Sequence, residues 1–130
     1  MLVRMILACS AILLVTAANA AEDCQKLEFG AREALVRKAP TCDKAMEQFT
    51  NCNAGGGGDV ILGQIVTEKC QGDFLKKLNA KQRQAYADGI KSCNDEVKEE
   101  EGSLSRAMAA GCRAELARSY AHKFSRARQR

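Results

Sequence analysis

Tryptophan is absent from this 130-residue chain, which has two tyrosines, four phenylalanines, one histidine and one proline. Each scarcity excludes something. With so few aromatics, the core must be built largely from Ala, Leu, Met and Val, which leaves a small domain marginal unless covalent links constrain it. The single imidazole, His122, lies among arginines with no carboxylate one helical turn away, which argues against a general base. No two cysteines are spaced as C-x2-C or C-x4-C, so zinc is not expected, nor is any cofactor. After residue 20 nothing approaches the roughly 20 apolar residues of a membrane span. No segment alternates with period two for long enough to argue a strand, although Val60–Val66 is apolar enough to leave a short one open. The glycine run 55–58 lacks the Lys-Ser/Thr of a phosphate loop and reads as a connector.

The N-terminus has the pattern of a secretory signal peptide, residues 1–20. Arg4 gives the positive start, Met5–Val15 the apolar run, and Ala18-Asn19-Ala20 the small-x-small cleavage site. Cys9 stands at the front of that run, the wrong order for a lipid anchor. Cleavage near Ala20 predicts a periplasmic or secreted protein with no transmembrane anchor and one helical domain, 21–130. Loss of Arg4 takes the formal charge from +4 to +3, and loss of Cys9 leaves six cysteines. An even number in an exported chain predicts three disulfides.

Helical periodicity covers most of the remainder, and the fold class expected is all-α: a small disulfide-stapled bundle of about five helices built from antiparallel hairpins. Cys24, Leu27, Ala31 and Leu35 form a first stripe that Pro40 closes. Thr41 is placed to cap a second helix with Cys42, Ala45, Met46, Phe49 and Cys52 inward. Asp59 is the expected cap of a third, with Leu62, Val66, Cys70, Phe74 and Leu78 as its ladder. Asn79 and Gln82 resemble a capping box before a fourth, with Tyr86, Ile90, Cys93 and Val97. Ser103 is the expected cap of a fifth, bearing Leu104, Met108, Cys112, Leu116, Tyr120 and Phe124. Aligning Cys52 with Cys93 and Cys70 with Cys112 superposes mainly apolar positions, which predicts two similar hairpins, about 41–78 and 79–127, by duplication or by convergence.

Residues equidistant from a connector lie opposite each other in antiparallel helices. The midpoint of Cys93 and Cys112 is 102.5, that of Cys42 and Cys70 is 56, and that of Cys24 and Cys52 is 38; all three fall on turns. Register therefore ranks Cys24–Cys52, Cys42–Cys70 and Cys93–Cys112 first. The repeat favours a competing set, Cys24–Cys42, Cys52–Cys70 and Cys93–Cys112. Fifteen connectivities exist in all, and only the last bridge is common to both sets.

Charge is unevenly placed. Asp95, Glu96, Glu99, Glu100 and Glu101 crowd the last connector, and Glu96, Glu99, Glu100 and Glu101 are the candidate partner-binding residues. Arg118, Lys123, Arg126, Arg128 and Arg130 load the C-terminus and are candidate contacts to an anionic surface. With the cysteines committed to disulfides and no catalytic constellation, no enzyme is expected. The partner expected is a protein in the envelope or outside the cell, not nucleic acid.

The second half also resembles the small exported LprI-like family, named for a bacterial lysozyme inhibitor. The residues that carry this are Gln82-Arg83 ahead of Cys93, then Gly102-Ser103, then Gly111-Cys112-Arg113-Ala114-Glu115-Leu116 followed by a cationic helix, over residues 78–124. Ala85 and Tyr86 stand where such proteins usually carry a tryptophan. The resemblance implies an exported helical protein that binds and blocks lysozyme. A periplasmic immunity protein or a structural envelope component without lysozyme inhibition is the alternative.

Overall fold

The structure is a computed structural model that describes residues 23–126. The expected signal segment, its cleavage site and residues 127–130 lie outside these, as do the side chains of Ser125 and Arg126. After a helical turn at 23–25, the elements are α1 (Phe29–Lys38), α2 (Cys42–Cys52), α3 (Gly57–Phe74), a 3₁₀ turn (Leu75–Lys77), α4 (Ala80–Asp95) and α5 (Ser103–Arg126). Among the described residues there is no strand, and Val60–Val66 is part of α3. The protein is an all-α, disulfide-linked bundle.

Local chemistry sets most helix starts. Thr41 Oγ1 accepts from the Lys44 N–H at 3.2 Å. Asn79 and Gln82 exchange two bonds of 2.9 Å each, a reciprocal cap that satisfies donors otherwise left open at the start of α4. At α3 and α5 the expected caps fall elsewhere. Helix α3 begins two residues before Asp59, with Gly56 in the cap position. Helix α5 begins at Ser103 itself.

Asp59 is the third residue of α3 and caps it from there, as the acidic half of a capping box does, while also holding the loop before it. It is buried, and its carboxylate turns back onto the glycine connector, accepting from the N–H groups of Ala54 (3.1 Å), Gly55 (2.6 Å) and Gly56 (3.2 Å). Three donors on one anion fix a loop that four glycines would otherwise leave free. Gly55 sits at φ 74°, where a side chain would be strained.

Three disulfides tie the helices: Cys24–Cys52, Cys42–Cys70 and Cys93–Cys112, with Cα–Cα distances of 5.0, 4.7 and 5.6 Å. The Cys24–Cys42 and Cys52–Cys70 pairs of the competing set are not made. Cys42 and Cys52 lie about 80° apart around α2, at about 100° per residue, so each faces a different neighbour.

The largest contact joins α3 to α5. Gly63 faces Ala110, while Phe74 meets Tyr120 and Phe124, so residue numbers rise together and the two helices run parallel. Helix α4 returns between them in sequence, pairing antiparallel to α5 through Cys93–Cys112 and through Gly89 against Leu116. Helix α2 is also antiparallel to α5, with Phe49 beside Gly111 and Asp43 beside Arg118 and His122.

The ladder expected for α3 is core: Leu62, Val66, Cys70 and Phe74 on the helix, and Leu78 just past the 3₁₀ turn, are all buried. On α5 it is not. Leu104 and Met108 are each 58% exposed, and the fully inward face is Ala107, Ala110, Ala114, Ala117 and Ala121. A step of four residues overshoots one turn by about 40°, so five steps rotate a ladder by about 200° around the helix. The steps of three and four between these alanines stay on one face. The superposition of Leu62 on Leu104 and of Val66 on Met108 therefore equates buried with exposed positions. The expected first stripe is also split: Cys24 is buried, Leu27, which precedes α1, and Leu35 are exposed, and Val36 is the buried residue of α1.

Candidate partner-binding surface

The acidic connector is built on two rigid supports. Helix α4 ends two residues past Cys93 and α5 begins nine residues before Cys112, so the disulfide holds both ends of the loop from below. Arg113 Nη1 donates to Asn94 Oδ1 at 2.5 Å beside that bridge. The chain leaves α4 in tight turns, with the Lys98 N–H on Asp95 O at 3.2 Å and the Glu100 N–H on Val97 O at 3.0 Å. Val97 is half-buried. Ser105, itself buried, reaches back so that its hydroxyl lies 3.2 Å from Glu100 O and 3.1 Å from Gly102 O. Gly102, at φ 129°, makes the turn into α5 in a conformation other residues rarely adopt.

Glu96, Glu99, Glu100 and Glu101 are all exposed on this loop, together on one end of the bundle. Asp95 is separated from them by its ion pair with Lys91, which holds the carboxyl below the ordinary value and raises the ammonium above its own. Asp88, Ser92 and Glu96 join that pair around an open groove of about 430 Å³. Next to the acids, Leu104 and Met108 project from the first turns of α5, and a Leu104 methyl lies 3.8 Å from where a Cβ would stand on Gly55. This end of the molecule thus offers fixed carboxylates beside two exposed apolar side chains. Sequence reasoning missed the apolar half, because it assigned Leu104 and Met108 to the core.

The basic candidates are scattered by comparison. Arg118 Nε donates to Asp43 Oδ1 at 2.8 Å, and its Nη1 lies 3.6 Å from Glu115 Oε1. His122 Nε2 shares the same Asp43 oxygen at 2.7 Å. The Arg118 bond is the main reason the Asp43 carboxyl is held below its usual range, and the same bond raises Arg118. Arg118 and His122 thus act as a clasp between α5 and the start of α2. Lys123 is exposed, while the Arg126 side chain, Arg128 and Arg130 lie outside the described residues. The clasp partner Asp43 carries no local signal in the sequence, because 75 residues separate it from Arg118.

Among the described residues no group of three or more His, Cys, Asp or Glu side chains is arranged to hold a metal ion, and no helix is long and apolar enough to cross a membrane. No protein-family model, curated protein or solved structure matches the chain.

Proposed function

We propose that this is an exported, non-catalytic binding protein whose partner is a cationic protein, engaged by Glu96, Glu99, Glu100 and Glu101 with Leu104 and Met108 as apolar anchors. The observation that carries this reading is the fixed connector. Four exposed carboxylates stand on a loop stapled by Cys93–Cys112 and pinned by Ser105. A loop ordered before binding loses little entropy on contact. Its charge speeds encounter with a cationic partner, while burial of Leu104 and Met108 supplies affinity that salt does not screen.

A lysozyme is the partner implied by the LprI-like residues Gln82-Arg83, Gly102-Ser103 and Gly111-Cys112-Arg113. The export that such a role needs is supported by Arg4, the apolar run 5–15 and Ala18-Asn19-Ala20. Purified oxidised protein is expected to inhibit a lysozyme in a cell-wall clearing assay, and Glu99→Lys/Glu100→Lys/Glu101→Lys to weaken inhibition at least tenfold. No inhibition of several lysozyme types at large molar excess removes the lysozyme reading. Pull-down from envelope extract then decides the partner class: a toxin or a structural envelope component in place of a glycan hydrolase establishes the immunity or structural alternative.

A further inference from the structure

Helix α1 presents more apolar surface than the core takes. Val36 is fully buried, while Leu27, Ala31 and Leu35, which follow one another at helical spacing, remain on the outside. They form a wall of a half-open trough of about 520 Å³ between α1 and α2, within the size range of small-molecule sites. Ala34 and Pro40 add to its apolar lining, and Lys38, Lys44 and Gln48 supply its polar groups.

The chemistry of the trough is ordered along its length. Lys38 is in the last turn of α1 and Lys44 in the first turn of α2, so the turn at Pro40 brings both to one end. Leu27, which precedes α1, and Gln48, a turn further along α2, mark the other. Neighbouring acids are already engaged, Glu33 by Arg37 and Glu47 by Lys44. Lys38 is paired with no carboxylate among the described residues and is open to an incoming anion, while Lys44 is held by Glu47 in an exposed pair, weak enough for a second carboxylate to share its ammonium. The ten residues of α1 span about 15 Å, which an extended chain of roughly a dozen carbons also spans.

We propose that this trough binds a single-chain anionic amphiphile of the fatty-acid class, with its tail along Leu27, Ala31 and Leu35 and its carboxylate at Lys38 and Lys44. The site lies on α1 and α2 and is independent of the acidic connector. An apolar slot explains why a core-like stripe is left outside the core, and the paired ammonium groups select the charge of the head.

Calorimetric titration of the oxidised protein with dodecanoate, below its micelle-forming concentration, tests this. Saturable 1:1 binding is expected, tightening by up to about fourfold per methylene from octanoate to dodecanoate. Lys38→Glu/Lys44→Glu is expected to weaken it at least tenfold and to favour dodecyltrimethylammonium instead. Leu35→Gln is expected to weaken it about tenfold while helix content, read by circular dichroism, is retained. The proposal is overturned if dodecanoate does not bind, if the cationic amphiphile binds the unaltered protein equally well, or if affinity survives the substitutions. A dimer in sedimentation that Leu35→Gln dissociates and dodecanoate does not would assign the trough to a second copy, and would equally overturn it.

Discussion

Replacing Gly63 and Gly72 by alanine makes one chemical change twice on α3, and the packing of α3 on α5 gives the two substitutions opposite signs. Gly72 is exposed, and a Cβ added there meets nothing within 4 Å. Alanine there gains helix propensity and reduces the freedom of the unfolded chain, so Gly72→Ala is expected to stabilise by about 0.5–1 kcal/mol. The same gain at Gly63 meets a wall. A Cβ there would stand 2.9 Å from Ala110 Cβ and 3.0 Å from both the carbonyl carbon and the oxygen of Ala110. A helix backbone has no rotamer to change, so α3 and α5 must part. Overpacking of a closed core costs about 1–3 kcal/mol, and contact with backbone belongs at the upper end. Parting also loosens the neighbouring contacts of Ala107 and Ala114 along α5. With the propensity gain set against it, Gly63→Ala is expected to destabilise by about 2 kcal/mol. Urea unfolding followed by circular dichroism, with disulfides intact, reads both values, and an unchanged slope would show that the midpoint shift is one of stability. If Gly63→Ala is as stable as the unaltered protein, the close parallel approach of α3 and α5 is wrong.

Three further outcomes follow from the same contacts. Asp59→Ala strands the Ala54, Gly55 and Gly56 N–H groups that the carboxylate now receives; because these loop donors can be partly rehydrated, the loss expected in urea unfolding is about 2–3 kcal/mol rather than the full value of three charged bonds. The lowered pKa of Asp43 means that its clasp stabilises the fold fully above the ordinary carboxyl value of 3.8 and less as pH falls through the lowered value in the folded protein. Since Asp43 and Arg118 are both substantially exposed, the effect is at most about 1 kcal/mol, and Asp43→Asn is expected to flatten that part of the stability–pH curve. Cys93→Ser/Cys112→Ser opens a loop with a sequence separation of 19, for which unfolded-chain entropy predicts a loss of about 3 kcal/mol; hydrogen exchange at residues 96–102 should rise more than at Leu62–Cys70.

Where a helix fixes its own terminus, the sequence sufficed: Thr41, Asn79 and Gln82 cap as expected because each bond spans three residues. The inward faces of α2 and α3 were also legible. A ladder of every fourth residue drifts by about 120° over the three steps from Leu62 to Phe74, so it stays within the arc that neighbours cover. The same rule fails over the 24 residues of α5, where drift carries Leu104 and Met108 out of the core. The alanines that replace them gave little signal by size, yet their small side chains are what let α5 approach Gly63 so closely. Of the candidate site, the acids could be read from composition alone. Their apolar neighbours could not, and neither could the Asp43 clasp, because both depend on how distant helices rotate against one another.

The parts of two stripes that periodicity placed in the core and packing left outside have the same physical meaning. A run such as Leu27, Ala31 and Leu35 records that one side of a helix is apolar; it does not record what covers that side. In this bundle the covering capacity is used up elsewhere: Val36 and Phe29 seat α1 against its neighbours, with the Phe29 ring lying against Gly58, and the alanine face seats α5. Of these two stripes, what remains exposed is Leu27 with Leu35 beside lysines, and Leu104 with Met108 beside glutamates. Burying such side chains is worth about 25 cal/mol per Å², an incentive that isolated surface leucines also have. The difference here is that each pair adjoins charge mainly of one sign, lysines at the trough despite Glu47 and glutamates at the connector despite Lys98 and Arg106, on a backbone already fixed by disulfides, so a ligand of opposite charge gains contact area and ion pairing together without first ordering the protein. The two surfaces therefore select opposite ligands, a cationic protein at the connector and an anionic amphiphile at the trough. Charge reversal at one site should leave binding at the other unchanged.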